Sequence, residues 1–216
     1  TVVAFSPFNP TASWSAATNG GSGYFDGSGD YLTAASNTAL DLSTGDFTVE
    51  CWFYPTTWST GVPIIYRYNG NYATGADFQF AIYTNSSGAV SVRPYQSTTD
   101  FTINAGTAVL NAWNHVALVR TGNTFWGFLN GNRSASSQTI TGALNNSTWS
   151  TFVGAALSTT LGNTYFYGYI TDTRVLKGTA LYTTSTYTVP TAPLTAISNT
   201  SLLLNFTNAG IYDATS

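Results

Sequence analysis

The sequence predicts an all-β protein, an antiparallel two-sheet β-sandwich. Three observations carry this: short alternating apolar and polar runs recur along 216 residues, Gly- and Asn-rich turns separate them, and no ten-residue stretch has a helical period. Residues 1–20, with Pro7, Pro10 and a lone Trp14, read as a linker or an irregular first strand. Tyr24-Phe25 and Tyr31-Leu32 then flank Asp26-Gly27-Ser28-Gly29-Asp30, where glycine supplies positive φ and aspartate bonds its own backbone. That arrangement predicts a hairpin. Phe47, Val49, Cys51 and Phe53 alternate with Thr48, Glu50, Trp52 and Tyr54, so the two sets occupy opposite faces of a strand that Pro55 ends. Pro63 opens the next run, and turns follow at Asn69-Gly70 and at residues 85–88. The clearest hairpin joins residues 115–120 to 124–129 across Thr121-Gly122-Asn123, after which Asn130-Gly131 turns into residues 133–140. Pro190 and Pro193 stiffen a late connection, residues 201–206 read as a central strand, and Ile211-Tyr212 trail it. Residues 21–208 thus form one domain, and residues 209–216 a tail or a junction to a following segment.

Composition narrows the function classes. Only 7% of residues are charged, against about 25% in ordinary domains, while 43% are hydrophobic and 15% aromatic. Apolar content at that level supports a packed core, so low charge here does not signal disorder. The surface is polar but nearly uncharged, which suits neutral ligands or assembly contacts better than polyanions. The formal charge is −3, and Arg67, Arg93, Arg120, Arg133, Arg174 and Lys177 are scattered, so no nucleic-acid partner is expected. There is no apolar run of membrane-spanning length and no secretory signal pattern. The chain lacks methionine, which predicts a piece of a longer protein or a processed product.

Reactive side chains are few. A glycosidase needs two carboxylates across the scissile bond, yet Glu50 is the one glutamate and has no acidic partner at positions 51–55. His115, the one histidine, reads as a satisfied structural residue, and Cys51 as a buried thiol on the apolar face of its strand. With one of each, a Cys/His transition-metal site is excluded.

Three blocks carry a family resemblance. Residues 25–32 (FDGSGDYL) with 46–55 (DFTVECWFYP), residues 111–120 (NAWNHVALVR) with 125–131 (FWGFLNG), and residues 167–182 with 190–194 together resemble the concanavalin A-like, laminin-G-like jelly-roll superfamily. The closing segment is similar to virion proteins of bacteriophages, marine ones especially. The resemblance implies a concanavalin A-like jelly roll and assigns Trp52, Trp113 and Trp126 to packing. It covers lectins, enzymes and structural modules alike. The glucanase pattern Glu-x-Asp-x-x-Glu is absent, and no catalytic residue is expected. Relatives often carry a rim calcium, which makes Asp26 and Asp30 candidate ligands and calcium the one candidate cofactor. The family's frequent Ile-Asp-Glu is Ile170-Thr171-Asp172 here, one acid short.

Aromatic residues assigned to loops give the candidate ligand site. Trp58, Arg67, Tyr68, Asn69, Tyr72, Tyr95 and Trp149 combine rings that stack on sugar C–H faces with groups that bond hydroxyls. Two readings stand. In one, these residues converge on a rim and bind neutral glycans of a host cell surface, strengthened by many copies. In the other, they contact other virion subunits, since interfaces also enrich Tyr and Trp. Both place the domain on a virion surface or elsewhere outside the cell, multicopy or homo-oligomeric, and without membrane insertion.

Overall fold

A computed structural model of the chain describes residues 1–8, 15–145 and 148–207. The readings of Pro10, Trp14, Ile211, Tyr212 and the tail lie outside the described residues. In chain order the strands are β1 (Val2–Val3), β2 (Ser22–Asp26), β3 (Leu32–Ala34), β4 (Phe47–Pro55), β5 (Val62–Tyr68) and β6 (Phe78–Thr84). There follow β7 (Ala89–Gln96), β8 (Thr99–Asp100), β9 (Ile103–Thr107), β10 (Asn114–Thr121), β11 (Thr124–Leu129) and β12 (Asn132–Arg133). The last six are β13 (Gln138–Thr139), β14 (Ser150–Val153), β15 (Ala155–Ala156), β16 (Thr164–Tyr165), β17 (Tyr167–Lys177) and β18 (Thr200–Leu204).

The first sheet runs β1-β2-β17-β4-β10-β11-β12, with β13 also on β11 and β18 also on β17; the second runs β3-β14-β5-β6-β7-β8, with β9 also on β7. Strand pairing is antiparallel throughout the described residues, the predicted two-sheet sandwich. The alternation in β4 sends Phe47, Val49, Cys51 and Phe53 into the space between the sheets. There they meet Val116 and Leu118 from β10, and Ile64, Ile65, Phe80, Ile82, Val90 and Val92 from the facing sheet. Cys51 is fully buried, as its place in that alternation predicted.

Two sequence readings are corrected. The turn at residues 26–30 does not close a hairpin: β2 pairs with β1 and β17, whereas β3 pairs with β14 in the other sheet. Glycine-rich turn chemistry specifies a reversal and not which sheet receives the chain. Among the described residues β18 pairs on one side, with the second half of β17, so residues 201–206 form an outer and not a central strand there. Leu202, Leu204 and Phe206 face the core, and Leu203 on the opposite side is buried as well.

Candidate functional site

The two outer faces of the sandwich differ. That of the first sheet is covered over β4 and β10, while Tyr24 on β2 stays exposed. Residues 178–195, linking β17 to β18, lie across β4, β10 and β11. Their hydrogen bonds include Thr48 Oγ1 to the Thr179 carbonyl (3.0 Å), Arg133 N–H to the Ser185 carbonyl (3.0 Å) and Tyr187 N–H to the Gly131 carbonyl (2.8 Å). Under this strap Glu50 is wholly buried. Arg174 Nη2 lies 2.6 Å from its Oε1, Tyr182 O–H donates to Oε2 at 2.6 Å, and His115 Nε2 is 3.1 Å from Oε2. Burial alone would raise the Glu50 pKa. The hydrogen bond and charge of His115, the charge of Arg174 and the Tyr182 hydroxyl overcome it and hold the carboxyl below its ordinary value. His115 is accordingly buried and partnered, its Nδ1 2.6 Å from the Tyr187 hydroxyl. Beyond the strap, Phe5 covers Tyr54, Trp113 and Tyr169 at centroid distances of 5.0, 5.3 and 4.8 Å, and Phe8 meets Trp52 edge-on at 6.1 Å.

The outer face of the second sheet is open, and aromatic. In β7 the core takes Val90 and Val92, so Ser91, Arg93 and Tyr95 point outward. In β6 the core takes Phe80 and Ile82, so Ala81 and Tyr83 belong to the outer cluster. A bulge in β5 sends both Ile64 and Ile65 inward, and from there Tyr66 and Tyr68 face out. Register aligns Phe152, Tyr66, Ala81 and Arg93 in one row across four strands. A trough of about 610 Å³ lies on this face, lined by Tyr66, Tyr72, Phe78, Tyr83, Arg93 and Tyr95.

The wall geometry is specific. Phe78 and Tyr95 stack at 4.9 Å with planes 22° apart, and Tyr66 meets Phe78 and Tyr83 edge-on at 5.7 and 6.3 Å. The Arg93 guanidinium carbon lies 4.7 Å over the Tyr83 ring, and its Nη1 is 3.3 Å from Asp100 Oδ2. Burial pushes the Tyr95 hydroxyl up to about 12 against the pull of Arg93, and raises Tyr66 well above its ordinary value. Burial alone would lower Arg93, but the Tyr83 and Tyr95 hydroxyls raise it on balance. Tyr66, Tyr95 and Arg93 therefore keep one protonation state across the physiological range. Asn85, Ser91, Thr60 and Thr164 complete the lining.

The seven residues read from the sequence as one rim separate. Tyr72 and Tyr95 line the groove. Tyr68 belongs to the same outer cluster but is fully buried, its hydroxyl accepting the Leu157 N–H at 2.7 Å; burial pushes it up to about 12. Arg67 points the opposite way: it is buried, donates to Thr151 Oγ1 at 3.1 Å, and burial lowers it to about 10 with Asp41 opposing. The placement of Arg67 and Tyr68 in an exposed loop is thus corrected, because β5 continues through both. Asn69 is exposed but holds Asp77 Oδ1 at 2.7 Å and the Asn71 N–H at 2.8 Å, within its own turn. Trp58 is half-buried against the core, its indole resting on Gly88, where a Cβ would come 2.8 Å from the ring. Trp149 is half-buried ahead of β14 and outside the groove lining. Tyr66, Phe78, Tyr83 and Arg93 were missed. For Arg93 the signal is the alternation Val90-Ser91-Val92-Arg93, which marks a strand face and not a loop.

Asp26 and Asp30 serve their turn, with Asp26 Oδ1 accepting the Ser28 N–H at 2.7 Å and Asp30 Oδ2 the Asp26 N–H at 3.3 Å. Among the described residues no three His, Cys, Asp or Glu side chains gather. A calcium ion takes six to eight oxygens from carboxylates, carbonyls and water, and both of these carboxylates accept N–H groups of their own turn.

The two antiparallel sheets packed face to face define the jelly-roll class of β-sandwich. The chain belongs to the concanavalin A-like lectin/glucanases superfamily, whose family model matches residues 26–182. Solved structures of low identity share the fold. A native heptameric SAP-like pentraxin from Limulus polyphemus has TM-score 0.52 and 19% identity over 74% of this chain and 76% of that one. A putative carbohydrate binding protein from Bacteroides ovatus has TM-score 0.59 and 13% identity over 85% and 50%. Domains LG4-5 of the mouse laminin alpha1 chain have TM-score 0.53 and 13% identity over 78% and 46%. No curated protein matches the chain. Among the described residues no helix is long and apolar enough to cross a membrane.

Proposed function

We propose that this domain is a non-catalytic recognition module that holds neutral glycans in the trough on the outer face of its second sheet. One observation carries the reading: the trough on this face is walled by five aromatic rings, with Tyr72 and Tyr83 half-exposed over the buried Tyr66, Phe78 and Tyr95, and the lining Arg93 is paired with Asp100. Sugar C–H faces stack on such rings. A guanidinium and a carboxylate 3.3 Å apart can donate to one hydroxyl and accept from the next. Catalysis plays no part in this reading, because Glu50 is sealed under the strap and committed to Arg174, Tyr182 and His115. The setting we assign is display outside a cell, on a virion or a comparable surface, in many copies whose weak contacts add.

The test is affinity electrophoresis in gels cast with laminarin, xylan, galactomannan or dextran, and with alginate as the acidic control. The expected result is retardation by a neutral polymer that Tyr83→Ala abolishes while circular dichroism shows an intact fold. Runs in EDTA and in calcium read any contribution of Asp26 and Asp30. Free migration of folded protein in every neutral gel overturns the glycan reading. It favours the alternative in which the same Tyr- and Arg-rich face meets another subunit of an assembly.

A further inference from the structure

The trough does not end at its rim. Thr60 and Thr164 line both the 610 Å³ depression and a second of about 140 Å³, which is completed by Ser59, Asn163, Tyr165 and Tyr167. Resting on the glycan reading above, we propose that the two depressions are successive subsites for an internal stretch of a glycan chain, so that the domain grips along a polymer instead of capping its end.

The second depression has the same chemistry as the first at smaller scale. Tyr165 and Tyr167 are half-buried, and Asn163 Nδ2 donates to the Tyr165 hydroxyl at 3.1 Å, which steadies that ring. The Tyr167 ring occupies the space a Cβ would take on Gly27, whose φ of +84° also favours glycine, so the turn at residues 26–30 supports this wall. The larger depression alone falls within the ~300–1,000 Å³ that holds a small ligand. The smaller one, reached across two exposed or half-exposed threonines, adds room for the next unit of a chain. Thr60 and Thr164, common to both linings, set the two depressions side by side, so a chain that crosses them runs from one into the other.

The experiment is calorimetric titration with oligosaccharides of one to six sugars cut from the neutral polymer that retards the protein. Affinity should rise about five- to tenfold once chains outgrow the larger depression, as one added ring contact supplies. Tyr165→Ala should remove that increment and leave the shortest binding oligosaccharide unaffected, with Asn163→Ala as a milder second variant. Affinity that is flat with length, or a loss in Tyr165→Ala equal at every length, overturns the second subsite. Tyr83→Ala, which should weaken all lengths together, reports on the larger trough independently. If no polymer retards the folded protein, the glycan reading and this extension of it both fall.

Discussion

Asp172 shows how one residue's environment sets a pH response. It is 1% exposed, has a φ of +49°, and lies where the register of β17 against β4 shifts. The Leu194 N–H donates to its Oδ1 at 2.7 Å. Burial pushes its pKa well up, the charge of Glu50 adds to this, and Leu194 and Arg174 only partly oppose. A carboxyl whose folded pKa is raised binds its proton more tightly when folded, so its contribution is fully present below the ordinary aspartate value of about 4 and is lost as pH rises. Asp172→Asn keeps an acceptor for Leu194 and suits the positive φ. It should raise the Tm at neutral pH, with the gain vanishing below about pH 4, as thermal melts across pH 3–8 will show. Glu50 has the opposite sign, its depressed pKa adding stability that is lost on acidification, so the two should be separated by comparing the variant with the parent at each pH. The sequence placed Asp172 one acid away from the family's pattern. Its burial was not legible there, because the covering Leu194 is 22 residues along the chain.

At the level of elements, what could be read was periodicity, and what could not was cover. The β4 alternation sorted its inward set correctly, since one strand's period needs no knowledge of its neighbours. Its outward set, Thr48, Glu50 and Trp52, looks solvent-facing by the same rule but is buried. The strap that buries Thr48 and Glu50 is rich in Thr, with Tyr182, Tyr187, Pro190 and Pro193, and reads as exposed loop, while Trp52 is covered by Phe8. Arg67 failed for a different reason: assigned to a loop, it lies in β5, which runs on to Tyr68 and turns the Arg67 side chain to the face opposite Tyr66 and Tyr68. The strap's grip centres on Tyr182 and Tyr187, stacked at 3.7 Å with planes 10° apart. Tyr182→Ala removes that stack and the Glu50 hydrogen bond, and should cost about 2–3 kcal/mol in urea unfolding. Limited proteolysis of the variant should cut first within residues 178–195, and a first cut elsewhere would show that the strap holds without this pair.

For the whole molecule, scarcity of charge is the governing fact. With 7% charged residues and a formal charge of −3, the domain has little long-range field to steer a partner or to be screened. Glycan retardation should therefore change less than about twofold between 50 and 500 mM NaCl, whereas a polyanion-binding surface would lose affinity by orders of magnitude. It should also be flat from pH 6 to 9, since burial keeps Tyr95 near 12 and Arg93 stays charged. The two-sheet architecture was legible because turn spacing and alternation recur along the chain. The groove was not, because it is assembled from outward residues of β5, β6 and β7, whose alignment depends on register.

The enclosure of Cys51 has a practical consequence. It is the chain's one cysteine, has no exposed surface, and burial pushes its thiol well above the ordinary value. Thiol-reactive dyes should leave the native domain unlabelled. A Thr60→Cys variant would then carry a single addressable sulfur at the lip of the trough, where an attached fluorophore would report occupancy as it happens.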